Sequence, residues 1–532
     1  MVLKAEFFNQ SPTFKDIDKG FTLEISGMDI NQESLHPLTA KDESNQSLIE
    51  KMHAEMQRIE AGEIKNPDEN RHVTHFTDRA EYLESNLFRD IQAFAAEIRA
   101  DTEIKNVVIN GIGGSALGPQ LLQLAANGPY WNEQSEEQRN GYPRIYFLDN
   151  TDSAGVKDLL DTISLKHTLV VNISKSGGTQ ETRNNMIALE REYDRQNLEF
   201  APRAVAITMA ESKLAAYAEE NEWRKVFNMA ESIGGRTSIT SVVGHLPAAL
   251  AGIDYVALLR GAIYMDELTR EPDVAHNPAY QLATAWYVAG NGKGDRNMVI
   301  VPYADRLLLL GRYMQQLVME SLGKEKDRDG NTVNQGLTVY GNKGGTDAHA
   351  YIQQLNDGPD DFFITFIETV EDDEHYPIEN GLTMGDYLHA FKVGLVKALR
   401  GKKRKVIDIR FDTFDVYSLG MLIALYERAV AAYAEFININ AFNQPGVEAY
   451  KKASKEVNRV NLKLQDYIEQ SSASDDTAVS AEEAAQSIDE ETQVHVVAGL
   501  LDRFYINNRV FSGKRVEREF KDGQPIYRIL KP

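Results

Sequence analysis

No cysteine occurs in the 532 residues, and positive charge is scarce: 57 Lys plus Arg stand against 80 Asp plus Glu, a formal net charge of −23 at pH 7. The first absence excludes disulfides, thiol nucleophiles, Fe–S clusters and cysteine-ligated zinc together. The acidic balance excludes duplex nucleic acid and anionic membranes as partners unless a basic patch is segregated, and the sequence offers only the short run Gly401 to Lys405. Apolar runs of about 18 residues, the length that reads as a membrane span, are also missing. Met1 to Phe14 lacks the basic, apolar, small-residue order of a signal peptide. The expectation is a cytoplasmic protein with no nucleic acid and no membrane among its partners.

What is present is a hydrophobic content of 42%, enough for several cores in a chain of three or four domains, or of two large ones with extensions. Residues 1–100 read as a mostly helical N-terminal extension, with apolar residues three and four apart in Ser47 to Glu60 and Glu81 to Arg99. From Asn106 the pattern changes. Val107 to Asn110, Ile145 to Asp149, Leu169 to Ile173 and Val205 to Thr208 are continuous apolar runs, as expected of strands buried on both faces. Met298 to Val301, Phe362 to Ile367 and Val406 to Phe411 form a second set, interleaved with the helical runs Arg306 to Leu322, Met384 to Leu399 and Tyr417 to Phe436. The fold class is therefore α/β, with parallel sheets flanked by helices in two tandem domains, 101–285 and 286–469, joined near Val256 to Asn291. Residues 470–532 read as an acidic linker and a C-terminal tail. Gln470 to Thr492 carries seven acids and no base, which predicts a mobile linker or a solvated helix.

Two strand-to-helix loops stand out. Gly111-Ile-Gly-Gly-Ser-Ala-Leu-Gly118, with Gly114 and Ser115 at its centre, lets backbone approach a ligand and aims a helix N-terminus at an anion. It also fits a loose dinucleotide fingerprint, or a turn needed only for packing. Ser174-Lys-Ser-Gly-Gly-Thr-Gln-Glu-Thr182 places the hydroxyls of Ser174, Ser176 and Thr179 around two glycines, suited either to a phosphate or to N-capping. A phosphomonoester fits this pair better than NAD, since the ribose-binding acid about 20 residues after the first loop is missing.

Three further segments carry groups capable of chemistry. In Ile233-Gly-Gly-Arg-Thr-Ser238, glycines present Arg236 to a developing oxyanion, unless it is a surface charge. In Met319-Glu-Ser-Leu-Gly-Lys324, Glu320 shares a helix face with Gln316 among apolar neighbours, making it a candidate general base; the alternative is an i to i+4 ion pair with Lys324. His349 falls in the first turn of a helix capped by Thr346 or Asp347, and Lys451 follows a helix start capped by Asn443. Both can equally be exposed residues.

In this order and spacing, GIGGSALGP, SKSGGTQET, GGRTS, MESLGK, GGTDAHAYIQQ and FNQPGVEAYKK resemble the phosphoglucose isomerase family, over Gly111 to Lys452. The resemblance implies sugar-isomerase (SIS) domains and reversible interconversion of glucose 6-phosphate and fructose 6-phosphate through a cis-enediolate, in glycolysis and gluconeogenesis, with no metal and no other cofactor. It implies that Ser174, Lys175, Ser176 and Thr179 bind the phosphate, with Gly114, Ser115 and Gly235 lining the site. Glu320 would be the base, Arg236 would steady the enediolate, Gln316 and Gln444 would position the phosphosugar, and His349 with Lys451 would open the ring. It further implies a homodimer with a shared active site, in which His349 comes from the partner subunit and Glu181 orients it. Leu322, Thr237, Ala348 and Gly177-Gly178 depart from the commoner pattern beside the reacting groups. A non-catalytic phosphosugar-binding SIS regulator would keep the glycine loops without the later motifs, an NAD-dependent dehydrogenase would leave those motifs unexplained, and mannose 6-phosphate stays open as a second substrate.

Overall fold

A computed structural model describes residues 3–471 and 478–531. The chain divides into two compact units, Met1–Asn443 and Gln444–Pro532.

The first unit is built on two sheets. One carries five parallel strands in the order Arg144–Leu148, Asn106–Asn110, Thr168–Ile173, Ala204–Thr208 and Lys225–Asn228. Its three central strands are buried at every position, which is why they read as unbroken apolar runs rather than as alternation. The second sheet has six strands in the order Phe14–Asp16, Phe21–Gly27, Lys405–Phe411, Phe362–Thr369, Asn297–Tyr303 and Val339–Tyr340. Its last four strands are parallel, while Phe21–Gly27 runs antiparallel to Lys405–Phe411 with Leu23 opposite Ile409. The segment expected to be a helical extension thus also supplies two strands. Phe21–Gly27 alternates buried and half-buried residues along its length, the signature of a strand with one face on the core.

Helix Val416–Phe436 runs through the centre and is buried at nearly every position from Ser418 onward, so it shows no polar face. It crosses Tyr255–Leu268 at a glycine pair: a Cβ on Gly261 would lie 1.9 Å from the Tyr417 carbonyl oxygen, and one on Gly420 2.0 Å from that of Leu258. No side chain fits at either position. The same helix brings Glu427 and Arg428 into a buried cluster, where Arg79 bonds both Asp266 and Glu427 and Arg428 Nε donates to Asp266 at 2.9 Å.

The second unit begins with helix Pro445–Gln470 and ends in a hairpin, Lys514–Lys521 with Gln524–Leu530. The acidic segment is only partly as expected. Residues 472–477 lie outside the described residues, but Ala481–Ser487 is a helix whose Ala481, Ala484 and Ala485 enter this unit's core with Val460 and Leu464. Arg459 and Lys463 each bond Glu490 at 2.5 Å. Small apolar residues and two ion pairs dock a stretch whose composition alone predicts a solvated chain.

Candidate active site

The glycine-rich loops meet at the C-terminal ends of the first sheet. Asn106–Asn110 leads into Gly111–Gly113 and helix Gly114–Asn127, and Gly114 lies against Gly235 so closely that a Cβ on it would fall 1.8 Å from the Gly235 carbonyl oxygen. Ser238 Oγ ties the two together, 2.7 Å from the Gly235 carbonyl and 3.2 Å from that of Gly114. A Cβ on Gly113, whose φ is +58°, would be 3.1 Å from Gln316 Nε2, which seats Gln316 beside the first loop. Gln316 Oε1 is buried and accepts no hydrogen bond among the described residues.

The Ser174 loop joins from the next strand. Ser174 is buried and its hydroxyl donates to Thr179 Oγ1 at 3.2 Å, while Ser176 Oγ accepts from the Gly178 N–H at 3.2 Å. Thr179 occupies the N-cap of helix Gln180–Arg195 without a side-chain cap bond, so capping does not account for these hydroxyls. Ser115 and Thr179 are half-buried and Ser176 is exposed. The Lys175 ammonium donates to the carbonyls of Glu231 at 2.7 Å and Ile233 at 3.0 Å, linking this loop to the one that presents Arg236. Burial, and then the charge of Arg71, pull Lys175 down to about 8.

Arg236 is not a surface charge: it is 7% exposed. Its guanidinium donates to Ser321 Oγ at 3.2 Å, the Ala441 carbonyl at 3.1 Å and the Asn443 carbonyl at 3.2 Å, and lies 3.6 Å from Glu320 Oε1. Burial lowers its pKa, and the Glu320 charge opposes that shift. Glu320 itself closes an unusual helix. The expected α-helix over Arg306 to Leu322 is instead a 3₁₀ turn at Asp305–Leu307, an α-helix at Leu310–Met314 and a π-helical stretch at Gln315–Glu320. Apolar spacing does not report such a widening, because the same residues still face the core; π-turns of this kind recur at functional sites. The alternative reading, an ion pair of Glu320 with Lys324, is not what forms. The Lys324 ammonium bonds the carbonyl oxygens of Glu320 and Ser321, leaving the carboxylate to Arg236.

Among the described residues, no hydrogen bond or ion pair joins His349 or Glu181 to this cluster. His349 is exposed at the end of a short 3₁₀ turn, Thr346–His349, whose N-cap is Gly345 and not Thr346 or Asp347. Asp347 is buried and accepts from the Asn342 N–H at 2.9 Å, closing the preceding loop. Glu181 is half-buried in the first turn of its helix. Gln444 and Lys451 belong to the second unit. There Gln444, not Asn443, is the N-cap, Pro445 takes the first helical position, and exposed Lys451 pairs with Glu448 at 2.7 Å.

Sequence reasoning missed Arg71 and Ser321. Arg71, 6% exposed, donates to the Ser232 carbonyl at 2.8 Å and the Phe442 carbonyl at 3.0 Å, bracing the backbone on both sides of Arg236. No local pattern marks it, whereas Ser321 adjoins Glu320 and was open to notice. Arg71, His75, Arg236, Ser321 and Glu427 line a small cavity with about 20 Å³ for the centre of a water molecule.

Comparison with known proteins shows the family of the chain. Residues 26–391 match the family model described as phosphoglucose isomerase. A glucose-6-phosphate isomerase of Nostoc punctiforme is 44% identical over 489 residues, 88% of this chain and 90% of the relative. One from Geobacter sp. strain M21 is 48% identical over 438 residues, covering 78% and 80%. The crystal structure of a glucose-6-phosphate isomerase from Chlamydia trachomatis superposes with a TM-score of 0.73 at 25% identity, covering 83% of this chain and 89% of that one. The chain belongs to the phosphoglucose isomerase family.

Proposed function

We infer that the protein interconverts D-glucose 6-phosphate and D-fructose 6-phosphate, an aldose-ketose isomerisation. The observation that carries this is the Glu320 carboxylate held 3.6 Å from the buried Arg236 guanidinium, beside two glycine loops that end parallel strands. A C–H next to a carbonyl is a weak acid, so its removal needs a base near the proton and positive charge near the oxygen at the same moment. Glu320 takes the proton from C2 and returns it to C1, while Arg236 stabilises the enediolate oxygen. Its hydrogen bonds to fixed carbonyls mean that little reorganisation accompanies the reaction. The phosphate is assigned to the N–H and O–H donors of Ser174, Ser176 and Thr179, with Lys175 behind them, and Gln316 is a positioning group through its open Oε1.

His349 and Lys451 are the candidates for ring opening, with Gln444 beside the sugar and Glu181 orienting the histidine. A homodimer that shares its site accounts for the exposure of His349. Support comes from an apolar surface on the same unit: Tyr376, Ile378, Met384 and Phe391 are each more than half exposed, and Leu388 lies 4.0 Å from where a Cβ on Gly345 would stand. A cytoplasmic setting fits the absence, among the described residues, of any helix long and apolar enough to cross a membrane.

A coupled assay with fructose 6-phosphate tests the reaction, and Glu320→Gln tests the base. The expected loss is about 10³-fold in turnover, with binding of a non-isomerisable hexitol 6-phosphate kept within threefold. Retention of a tenth of wild-type turnover would overturn the assignment. For the shared site, Phe391→Asp is expected to shift sedimentation to the monomer and abolish activity; a fully active monomer disproves it.

A further inference from the structure

The lysine that closes the π-helical stretch has no part in the reaction as described, yet its surroundings are those of a built feature. Lys324 is 6% exposed, and among the described residues its side-chain nitrogen donates to two carbonyls, Glu320 at 3.0 Å and Ser321 at 2.7 Å. These oxygens belong to the last turn of the helix, where carbonyls have no intrahelical partner, so the lysine nitrogen supplies the donors they lack. The lysine backbone is itself anchored, because Lys324 pairs with Gln335 in a short antiparallel hairpin, Lys324–Lys326 with Thr332–Gln335. The side chain therefore connects a fixed hairpin to the turn that carries the carboxylate. An exposed lysine would gain little from this arrangement; a buried one has given up hydration for it.

We propose that Lys324 is a positioning residue for Glu320: by capping the carbonyls of Glu320 and Ser321 it fixes the end of the π-helical stretch, and so the direction in which the carboxylate meets Arg236 and the substrate. The inference rests on Glu320 being the base. Ser321 is clamped from both sides, its carbonyl by Lys324 and its hydroxyl by Arg236, so the turn is held between the two side chains. A displacement of about 1 Å at a reacting group can cost about 10²-fold in rate.

The test compares Lys324→Met, Lys324→Gln, Glu320→Gln and the Glu320→Gln/Lys324→Met double variant in the full-length protein. Lys324→Met is expected to lower kcat about 10²-fold while KM and hexitol 6-phosphate binding change less than threefold. Since Lys324 acts only through the carboxylate, the double variant should be no slower than Glu320→Gln alone. Lys324→Gln keeps an N–H donor, guards against misfolding of the apolar variant, and should lose about tenfold relative to the wild type. Deuterium uptake from solvent during turnover should rise in both Lys324 variants as the proton is held less directly, a readout that general destabilisation does not move. A Lys324→Met kcat within threefold of wild type, or a multiplicative loss in the double variant, overturns the proposal. Activity surviving Glu320→Gln would instead remove the base assignment, and an inactive Glu320→Gln beside a fully active Lys324→Met would remove only the positioning role.

Discussion

Arg236 and His349 are both expected at the reacting sugar, and the structure treats them in opposite ways. Arg236 is buried and hydrogen-bonded to three fixed groups from distant parts of the unit; His349 stands exposed at the end of a four-residue turn. Lys451 resembles His349 in being exposed, and it pairs with Glu448 three residues away. Groups that stabilise charge must be immobile before the substrate arrives, because reorganising them during reaction would consume their advantage. The ring-opening role proposed for His349 makes no such demand within a single chain, where the proposed shared site leaves its surroundings to the partner. The difference teaches that, under the proposed roles, the charge-stabilising group is fixed inside one chain and the ring-opening group is not.

That contrast can be broken in several ways. Arg236→Ala should have the largest effect, lowering turnover by about 10²- to 10³-fold. It should also destabilise the fold by about 3–5 kcal/mol, since Glu320 loses its charge partner and the Ala441 carbonyl its donor. Unchanged thermal unfolding would show that Arg236 is not the structural keystone described. His349→Ala should reduce turnover about 10²-fold yet leave stability within about 0.5 kcal/mol, the pattern of an exposed residue. A large drop in its melting temperature would contradict the exposure seen. Gly114→Ala should cost about 1–3 kcal/mol by forcing a methyl against the Gly235 backbone, with a rise in KM as the two loops part; denaturant titration and steady-state kinetics read both.

The smallest expected effect is on the pH dependence of stability. Burial, and then Arg236, hold Lys324 at about 7, against an ordinary value of 10.5. Between those values the unfolded chain binds the proton and the folded one does not, so this group's contribution makes stability rise with pH over that window and stay level below it. Lys324→Met should remove that rise, seen as a difference between the unfolding profiles of the two proteins. Parallel profiles from pH 7 to 10 would refute the burial argument.

How much of this was legible in sequence follows from what a linear pattern encodes. The strands Asn106–Asn110, Thr168–Ile173 and Ala204–Thr208 were readable because burial on both faces leaves an unbroken apolar run. Phe21–Gly27 alternates and was passed over among helices, although Phe21, Leu23 and Ile25 mark its buried face. The C-terminal hairpin was also open to reading, since Asp522 and Gly523 both have positive φ between paired Lys521 and Gln524, the arrangement an Asp-Gly turn favours. Four motifs of the candidate site, around Gly114, Lys175, Arg236 and Glu320, were visible as separate loops and are joined by hydrogen bonds or close backbone contact. What no pattern could give is the π-turn, the carbonyl bonds of Lys175 and Lys324, or the bracing by Arg71, all of which depend on partners distant in sequence or on backbone geometry.

The pairing of Phe21–Gly27 with Lys405–Phe411 has a consequence in time. On a ribosome adding about 5–20 residues per second, the first strand waits roughly 20 to 80 s for its partner to be made. Throughout that interval Phe21–Gly27, with Phe21, Leu23 and Ile25 on one face, has only Phe14–Asp16 to pair with, and its other edge waits open. The strands of the first sheet all lie between Asn106 and Asn228, so every one of them is made before Asn297–Tyr303 of the second sheet.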